Sequence, residues 1–387
     1  MQLLYRSMDV RKFSIPEILF GRGSLALAAQ CARQLGGEKI FLVSDAGLEK
    51  AGWVQQLFDI LKRENLEWVY YGDVVANPRD YQVSRGARLY QTHGCDVVMA
   101  LGGGSPMDAA KGIALVASNG GRVHDYEGAN RIQQPLAPMV FIPSTAGSGA
   151  DISQFAIIND MQRHVKMSII SRTLVPNISI IDPGLLETKP KRLMIASAID
   201  ALAHAVESYV SLIANSLTEI HSLKAIDLIL AWLPVALETR SPEALEKLSH
   251  AATFAAMAFS NASLGMLHAL AHSLGGKLDI VHGLIHPVLL PHVMRYNLPA
   301  CEQKLADIGE IILGKRLRSD AQTALSGIER LETYCKSLNV STRLREIVSD
   351  PSALEPVCQM ATHDTCLLTN PRPASWEDLL GLCKASW

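Results

Sequence analysis

The stretch VVMALGGGSPMDAAKGIALVAS, residues 97–118, decides the fold class of this chain. An apolar β-type run ends in three glycines at 102–104, and small apolar residues with helical spacing follow. Ser105 is predicted to cap the helix, with Pro106 at its first position and Asp108 as the acid of a capping box. Because a helix N-terminus carries unpaired N–H groups and glycine allows a close approach, this turn suits a pyrophosphate. A tight strand-to-helix turn without a ligand is the alternative that the stretch leaves open.

Strands and helices alternate on both sides of this stretch. Strand-like runs lie at 18–21, 39–45, 67–74, 138–145 and 178–183, with helical segments between many of them. This alternation predicts an α/β fold with a Rossmann-like, doubly wound parallel sheet. Residues 155–170, FAIINDMQRHVKMSII, are the exception, because two apolar runs around a polar centre predict an antiparallel hairpin.

The pattern changes after Pro183, where helical periodicity takes over and continues to Trp387 with almost no strand signal. We therefore predict two domains, an α/β nucleotide-binding domain at 1–185 and an all-α domain at 186–387. A chain of 387 residues is also too long for one ordinary core, which favours the same division.

Composition narrows the class of protein. The chain has 36 basic and 38 acidic residues, a formal net charge of −2, and no long run of either sign, which argues against nucleic-acid or membrane partners. Its seven cysteines form no CxxC pair, so we expect a reducing, cytoplasmic setting. Residues 1–13 lack the features of a secretion signal, and no apolar stretch is expected to span a bilayer.

Histidines are concentrated in the second half at helical spacing. Asp200 and His204 are four residues apart, His268 and His272 repeat that interval, and His282 follows in a glycine-containing loop. Imidazoles and a carboxylate suit a borderline divalent cation, either Fe²⁺ or Zn²⁺. We therefore predict that the helical domain binds a metal, although the spacing leaves open whether His268 or His272 is the ligand.

Small and hydroxyl residues end another strand of the first domain, and they point to a nucleotide. Ser144, Thr145 and Ser148 follow the run at 138–145, and the ends of parallel strands can line one crevice. Asp45 closes the run at 39–45, where a carboxylate suits the ribose hydroxyls of NAD and repels the 2′-phosphate of NADP. Capping of the next helix is the alternative role for Asp45.

Taken together, these motifs resemble those of the iron-containing (group III) alcohol dehydrogenases, which have a dehydroquinate synthase-like fold. The resemblance covers nearly the whole chain and rests on motifs in family order: GDVVANP, ALGGGSPMDAAKGIA, IPSTAGSGAD, IDPGLL, AIDALAHAVESY, AFSNASLGMLHALAHSLGG, VHG and LLPHVMRYN. It implies an N-terminal nucleotide-binding domain, a C-terminal helical domain, and a site in the cleft between them.

The resemblance also implies particular residues. It assigns the metal to Asp200, His204, His268 and His282. His272 then lies beside the ligands or on the substrate side and is the candidate for proton transfer. The cofactor is expected to contact a set of residues that includes Asp108 and Ser148, which the motifs above pointed out. The full set is Asp45, Asn77, Gly103, Gly104, Ser105, Asp108, Ser144, Thr145, Ser148 and Lys166. Phe259 and His286 are expected to line the substrate pocket.

The chain departs from the family pattern beside His282. After the His-Gly pair, family members usually have a small residue and then Asn, whereas this chain has LIHP, which brings His286 and Pro287. The departure is expected to reshape the substrate side of the site.

The predicted activity is a metal-dependent alcohol dehydrogenase or aldehyde reductase that transfers a hydride between NAD(H) and a small alcohol or aldehyde. Two alternatives stay open from the sequence. One is an NAD-using, metal-dependent lyase of the dehydroquinate synthase type, and the other is a non-catalytic regulator on the same fold. The resemblance also implies a homo-oligomer, a dimer or larger.

Overall fold

The computed structural model describes residues 12–387, so most of the N-terminal stretch considered above lies outside the described residues. The strands are β1 (Glu17–Phe20), β2 (Lys39–Val43), β3 (Glu67–Tyr71), β4 (Val97–Gly102), β5 (Gly128–Ala129), β6 (Met139–Pro143), β7 (Phe155–Asp160), β8 (Val165–Ile170) and β9 (Ile178–Ile181). The α-helices of the first half are α1 (Ala28–Gln34), α2 (Ala46–Lys50), α3 (Trp53–Arg63), α4 (Asp80–Thr92) and α5 (Gly104–Asn119).

The second half is helical, as expected. Its α-helices are α6 (Lys191–Val210), α7 (Ser216–Thr239), α8 (Pro242–Ala262), α9 (Met266–Leu278), α10 (His286–Leu313), α11 (Asp320–Ser337), α12 (Leu354–Ala361) and α13 (Trp376–Ala385). The last described strand ends at Ile181 and α6 begins at Lys191. The division at 185/186 stays a prediction.

Six strands form one parallel sheet in the order β1-β9-β6-β4-β2-β3. Its two central strands, β6 and β4, are apolar and almost entirely buried, as a parallel sheet covered by helices requires. Phe41, Val98 and Phe141 pack on one face, whereas Ile40 and Met99 pack on the other. The predicted α/β class with an all-α second half is therefore confirmed.

The predicted hairpin is also present. β7 and β8 pair antiparallel from Phe155↔Ile170 to Asp160↔Val165, and β5 joins β8 to complete a second, three-stranded sheet. This small sheet meets the helical half, because a Cβ at Gly276 of α9 would lie 2.8 Å from the backbone nitrogen of Lys166. The hairpin thus holds Lys166 beside the C-terminal part of α9.

The glycine-rich turn differs in detail from its prediction. α5 begins at Gly104, its N-cap is Gly103, and no side chain caps it. Ser105 is therefore the second helical residue rather than the cap, and Asp108 lies too far along the helix for a capping box. The reason is that the extended backbone of Gly103 already starts the helix, which leaves the first N–H groups without a side-chain acceptor.

The sequence analysis expected no apolar stretch long enough to span a bilayer, but two helices are long and apolar enough to do so. By length and composition alone, α6 and α7 could each cross a membrane, and the bent pair of α8 and α9 could add a third span. In α6, however, 78% of the most apolar window is buried within the protein, and α6 packs against α7, α8 and α10. For α7 the buried share of the window is 39%. The apolar character of α6 therefore serves the core of the helical half.

Candidate active site

A cleft of about 290 Å³ lies between the carboxyl edge of the parallel sheet and the helical half. Adjacent strands β4 and β6 end level with each other, with Gly102 paired to Pro143, so the loops that follow them share this edge as predicted. The sequence-predicted residues that line the cleft are Asn77, Gly104, Ser105, Asp108, Thr145, Ser148, Lys166, Asp200, His204, Phe259, His268, His272 and His282.

Four other sequence-predicted residues do not line the cleft. Gly103 lies against Thr145, to whose Cγ2 a Cβ at Gly103 would come within 3.0 Å. Ser144 is buried, and its carbonyl accepts from Lys189 Nζ at 3.4 Å. Asp45 caps α2, accepting from the backbone of residues 47 and 48, and His286 is fully buried behind the cleft.

Asp200 is the centre of the histidine cluster. Its Oδ1 lies 3.6 Å from His204 Nε2, 3.7 Å from His268 Nε2 and 3.9 Å from His282 Nε2. Asp200 and His204 come from α6 and His268 from α9, while His282 begins a single 3₁₀ turn between α9 and α10. One i,i+4 pair, one histidine of a second helix and one loop histidine therefore gather around Asp200 Oδ1, although they are far apart in sequence.

The cluster fits a divalent cation. Asp200 Oδ1 and His268 Nε2 face each other in the interior, and neither has a hydrogen-bond partner among residues 12–387. Buried polar atoms are rarely left unpaired in this way unless a water or an ion satisfies them. One carboxylate and several imidazoles are donors that Fe²⁺ and Zn²⁺ both accept. The donor set thus suits the metal that the family resemblance implies.

Burial sets the charge of the imidazoles. It lowers the pKa of His204 to about 4 and holds the pKa of His282 well below its ordinary value, which leaves both rings neutral near neutral pH. For His268, burial also lowers the pKa, but the neighbouring carboxylates of Asp200 and Glu207 outweigh burial and raise the pKa to about 9. A proton or a cation is therefore favoured between His268 and its carboxylate neighbours.

Glu207 is a functional candidate that sequence reasoning missed. It is buried on α6, and its carboxylate accepts from His268 Nδ1 at 2.6 Å, Leu267 N at 2.6 Å and Gly265 N at 3.1 Å. Glu207 thereby joins the start of α9 to α6 and turns His268 Nε2 toward Asp200. Its position three residues after His204 was the one signal available in the sequence.

His272 has a different carboxylate partner. Asp364 Oδ2 lies 2.8 Å from His272 Nδ1, and Asp364 also accepts from the backbone of Cys366. Because Nδ1 is engaged, Nε2 is the ring nitrogen of His272 left for the cleft. Asp364 is 92 residues from His272 in sequence, so no spacing signal could have identified the pair.

The sheet side of the cleft carries two lysines, the half-buried Lys166 and the buried Lys189. Burial lowers the pKa of Lys166 to about 8 and that of Lys189 to about 7. The negative charges of Asp108, near Lys166, and of Asp45, near Lys189, oppose this effect but do not outweigh it. An anion bound nearby would favour the charged forms of both lysines. Lys189 was not singled out from the sequence, because a lone lysine before a proline carries no motif.

Asn77 lies at the cleft and connects the sheet side to the helical half through a side-chain hydrogen bond. Its backbone has a φ of +56°, and its Nδ2 donates to Asp279 Oδ1 at 2.9 Å. Arg79 donates to the other carboxylate oxygen of Asp279, also at 2.9 Å. The loop before α4 is thereby tied to the end of α9.

A helix start without a side-chain cap, facing a cluster of potential metal donors across one cleft, is typical of a nucleotide-dependent metalloenzyme. The profile of the family described as "Iron-containing alcohol dehydrogenase" matches residues 16–183, and that of "Fe-containing alcohol dehydrogenase family, C-terminal" matches residues 194–387. The chain belongs to the iron-containing alcohol dehydrogenase family.

Individual relatives agree with this assignment. The chain is 34% identical to the NAD-dependent methanol dehydrogenase of Bacillus methanolicus, over 96% of this chain and 98% of that one. It is also 34% identical to the 1,3-propanediol dehydrogenase of Klebsiella pneumoniae, over 99% and 100% of the two chains. A solved structure of a 1,3-propanediol oxidoreductase superposes with a TM-score of 0.94 at 33% identity, covering 98% of this chain and 100% of that one.

These comparisons confirm the family, the fold and the reaction class predicted from the sequence. The chain is a metal-dependent alcohol dehydrogenase or aldehyde reductase that uses NAD(H). The lyase and regulator alternatives are not needed. The roles of individual residues and the identity of the metal stay predictions.

Proposed function

We propose that the protein interconverts a short alcohol and its aldehyde with NAD(H), and that Asp200, His204, His268 and His282 hold Fe²⁺, with Zn²⁺ as the alternative. The observation that supports this proposal best is the convergence of three imidazole nitrogens within 3.9 Å of one buried carboxylate oxygen, in the cleft that also contains the start of α5. When bound, the cation supplies Lewis acidity, which lowers the pKa of the alcohol and polarises the aldehyde carbonyl.

The sheet side of the cleft is proposed to bind the cofactor. The uncapped N–H groups at Gly104 and Ser105 suit the pyrophosphate, with Ser148 and Lys166 facing the same space. Asp45 keeps its Oδ2 outside the helix cap, near Gly102, and we assign it to the ribose hydroxyls. The remaining proposed contacts are Asn77, Gly103, Asp108, Ser144 and Thr145.

The cleft residues would hold the nicotinamide beside the substrate carbon, and the bound cofactor would supply the hydride acceptor. The hydroxyl proton would need a base among the residues of the cleft. We assign the proton to His272, whose Nδ1 is held by Asp364 at 2.8 Å and whose other ring nitrogen remains for exchange. Phe259 stacks on His204 with ring centroids 4.3 Å apart and forms an apolar wall. This wall keeps water away from the reacting carbon.

The proposed substrate is small because the cleft is small. Its volume of about 290 Å³ is at the lower limit of the usual range for ligand sites, and the nicotinamide must share it. Apolar side chains such as Phe155, Leu193 and Leu264 line much of the remainder. We therefore expect short primary alcohols, diols and their aldehydes rather than bulky ones.

A substrate panel tests this proposal. The protein is stripped of metal and given NAD, a series of alcohols of increasing length, and Fe²⁺ or Zn²⁺ separately, while NADH absorbance is followed. We expect NADH and aldehyde in equal amounts, only with a metal present, and fastest with short chains. Failure of every alcohol to produce NADH with either metal would contradict the proposal, and a lyase would also accumulate none.

We also infer a cytoplasmic setting and a homo-oligomer without nucleic-acid or membrane partners. All seven cysteines, which lie in the described part of the chain, are free thiols, and this supports a reducing compartment. Light scattering of the purified protein would measure the oligomeric state, and a monomeric mass would contradict that part of the inference.

A further inference from the structure

His286 has no role in the mechanism above, yet it lies against the centre of the cluster. It is the first residue of α10, its side chain is fully buried, and its Nδ1 lies 3.5 Å from Asp200 Oδ1. Its ring centroid is 4.8 Å from that of His268 and 4.6 Å from that of His282. His286 therefore approaches Asp200 at least as closely as the three proposed histidine ligands do.

Neither ring nitrogen of His286 has a hydrogen-bond partner among the residues described. The 3.5 Å distance to Asp200 Oδ1 is too long for a good hydrogen bond between the two groups. His268 and His272, by contrast, each have one nitrogen engaged by a carboxylate. A fully buried imidazole with two unpartnered nitrogens is unfavourable unless something else in the interior binds one of them.

The spacing is that of donors around one ion. Two donor atoms that bind one octahedral ion at about 2.1 Å lie about 3.0 Å apart when adjacent and about 4.2 Å apart when opposite. The contacts of Asp200 Oδ1 with the cluster range from 3.5 to 3.9 Å. Donor atoms of Asp200, His268, His282 and His286 also lie within 4.8 Å of one another, so these four can face a single point.

The sequence supplies an independent observation. The chain departs from the pattern of the family that it resembles at residues 284–287, LIHP, directly after the proposed ligand His282 and Gly283. This chain places a histidine there, and Pro287 follows it at the start of α10. The departure from the family pattern therefore falls on the residue that lies nearest to Asp200 Oδ1 among the histidines of the cluster.

We propose that His286 Nδ1 is a fifth protein ligand of the catalytic metal, in addition to Asp200, His204, His268 and His282; this proposal rests on the proposed function. Five protein donors exceed the four that Zn²⁺ usually takes, but they leave one position open in an octahedral Fe²⁺ or Co²⁺ ion. His286 thus strengthens metal binding and favours an ion of higher coordination number.

The test compares the wild-type protein with His286→Asn, which keeps a polar side chain but removes the imidazole, and with His286→Gln. His292→Asn is the matched control, because His292 lies on the same helix outside the cluster. Each protein is loaded with Fe²⁺, Zn²⁺ or Co²⁺, and metal affinity is measured by competition with a chelator. The visible absorption of the Co²⁺ form then reports its coordination independently of turnover.

We expect both His286 variants to bind Fe²⁺ and Co²⁺ at least tenfold more weakly, with a smaller loss for Zn²⁺ and a changed Co²⁺ spectrum. The control should match the wild type in affinity and spectrum. Unchanged affinity would overturn the proposal. Weaker binding with an unchanged Co²⁺ spectrum would also overturn it, because the loss would then come from packing.

The two proposals fail in distinguishable ways. If wild-type protein binds no divalent metal and forms no NADH from any alcohol, the proposed function is wrong. If the wild type binds metal and turns over but the His286 variants bind metal equally well, only the fifth ligand is wrong. Circular dichroism and thermal melting of the metal-free variants show whether they fold.

Discussion

At the scale of single residues, carboxylates decide what the histidines can do. Glu207 and Asp364 each hold one histidine Nδ1, at 2.6 and 2.8 Å, and leave the opposite nitrogen for the site. Glu207 acts on a proposed metal ligand, whereas Asp364 acts on the proposed proton carrier. A carboxylate–imidazole hydrogen bond therefore orients a proposed metal ligand in one case and the proposed proton carrier in the other.

Glu207→Gln is predicted to weaken metal binding by about 10- to 100-fold, because an amide cannot accept from all three N–H donors that the carboxylate now holds. Chelator competition measures the effect. Asp364→Asn is the matched comparison, and it should reduce turnover and change its pH profile while metal affinity stays within twofold. Equal loss of metal affinity in both variants would remove the distinction drawn here.

Asp45 has two separable roles. One carboxylate oxygen caps α2, and we propose that the negative charge of the carboxylate favours NAD over NADP. Asp45→Asn should keep the cap and lose the charge, and Asp45→Gly should lose both. We expect each variant to shift the ratio of NAD to NADP activity toward NADP by about tenfold, which corresponds to about 1.4 kcal/mol. Only the Gly variant should also melt earlier. An unchanged ratio in both would exclude Asp45 from the ribose site.

At the scale of elements, close approaches between loops and helices position the site. The loop after β6 runs directly against the helical half: a Cβ at Gly147 would lie 2.6 Å from the backbone oxygen of Ser197 on α6. Gly149 has a φ of +60°, and a Cβ there would lie 2.5 Å from Ala256 Cβ and 2.9 Å from the ring of Phe259. Small residues in this loop are therefore required by contact as well as by backbone conformation.

Gly149→Ala is predicted to destabilise the protein by roughly 2–5 kcal/mol, because a left-handed backbone costs about 1–2 kcal/mol and the clash with α8 adds about 1–3 kcal/mol. The displaced Phe259 should also raise KM for the alcohol. Gly314→Ala is the control, since Gly314 has a φ of +70° but open space around it. Thermal melts that show the same loss for both variants would contradict the role of the contact.

At the scale of the whole molecule, the proposed metal would join elements that are otherwise separate. Its donors come from α6, α9 and the turn before α10, and they meet beside the loops of the parallel sheet. An ion that binds only the folded state stabilises it by mass action. Binding and stability are therefore expected to change together.

Removal of the metal is predicted to lower the melting temperature, because metal at a free concentration 100 times its Kd contributes about 2.7 kcal/mol. Asp200→Ala should abolish both turnover and this metal-dependent increase in stability. His93→Ala, an exposed residue outside the cluster, should retain the increase. Full activity and normal metal content in Asp200→Ala would contradict the assignment of Asp200 as a ligand.

Much of this protein was decided locally and could be predicted from the sequence. The apolar runs that form β2, β4 and β6, the glycines at 102–104 and the i,i+4 interval of Asp200 and His204 each carry a periodicity or a turn requirement. Such signals act within a few residues of the chain. They were sufficient for the fold class and for a strand-to-helix turn at the glycines, although not for the capping of α5, and they indicated most of the predicted residues that line the cleft.

Tertiary structure alone decided the contacts that join distant segments. Asp364 meets His272 across 92 residues and Glu207 meets His268 across 61, and no local pattern encodes either distance. The burial of His286 beside Asp200, rather than on the wall of the cleft, likewise depends on how α10 packs against α6. Sequence periodicity specifies which face of a helix is apolar, whereas the packing of several helices determines which polar groups meet in the interior, and that packing was not readable from one chain.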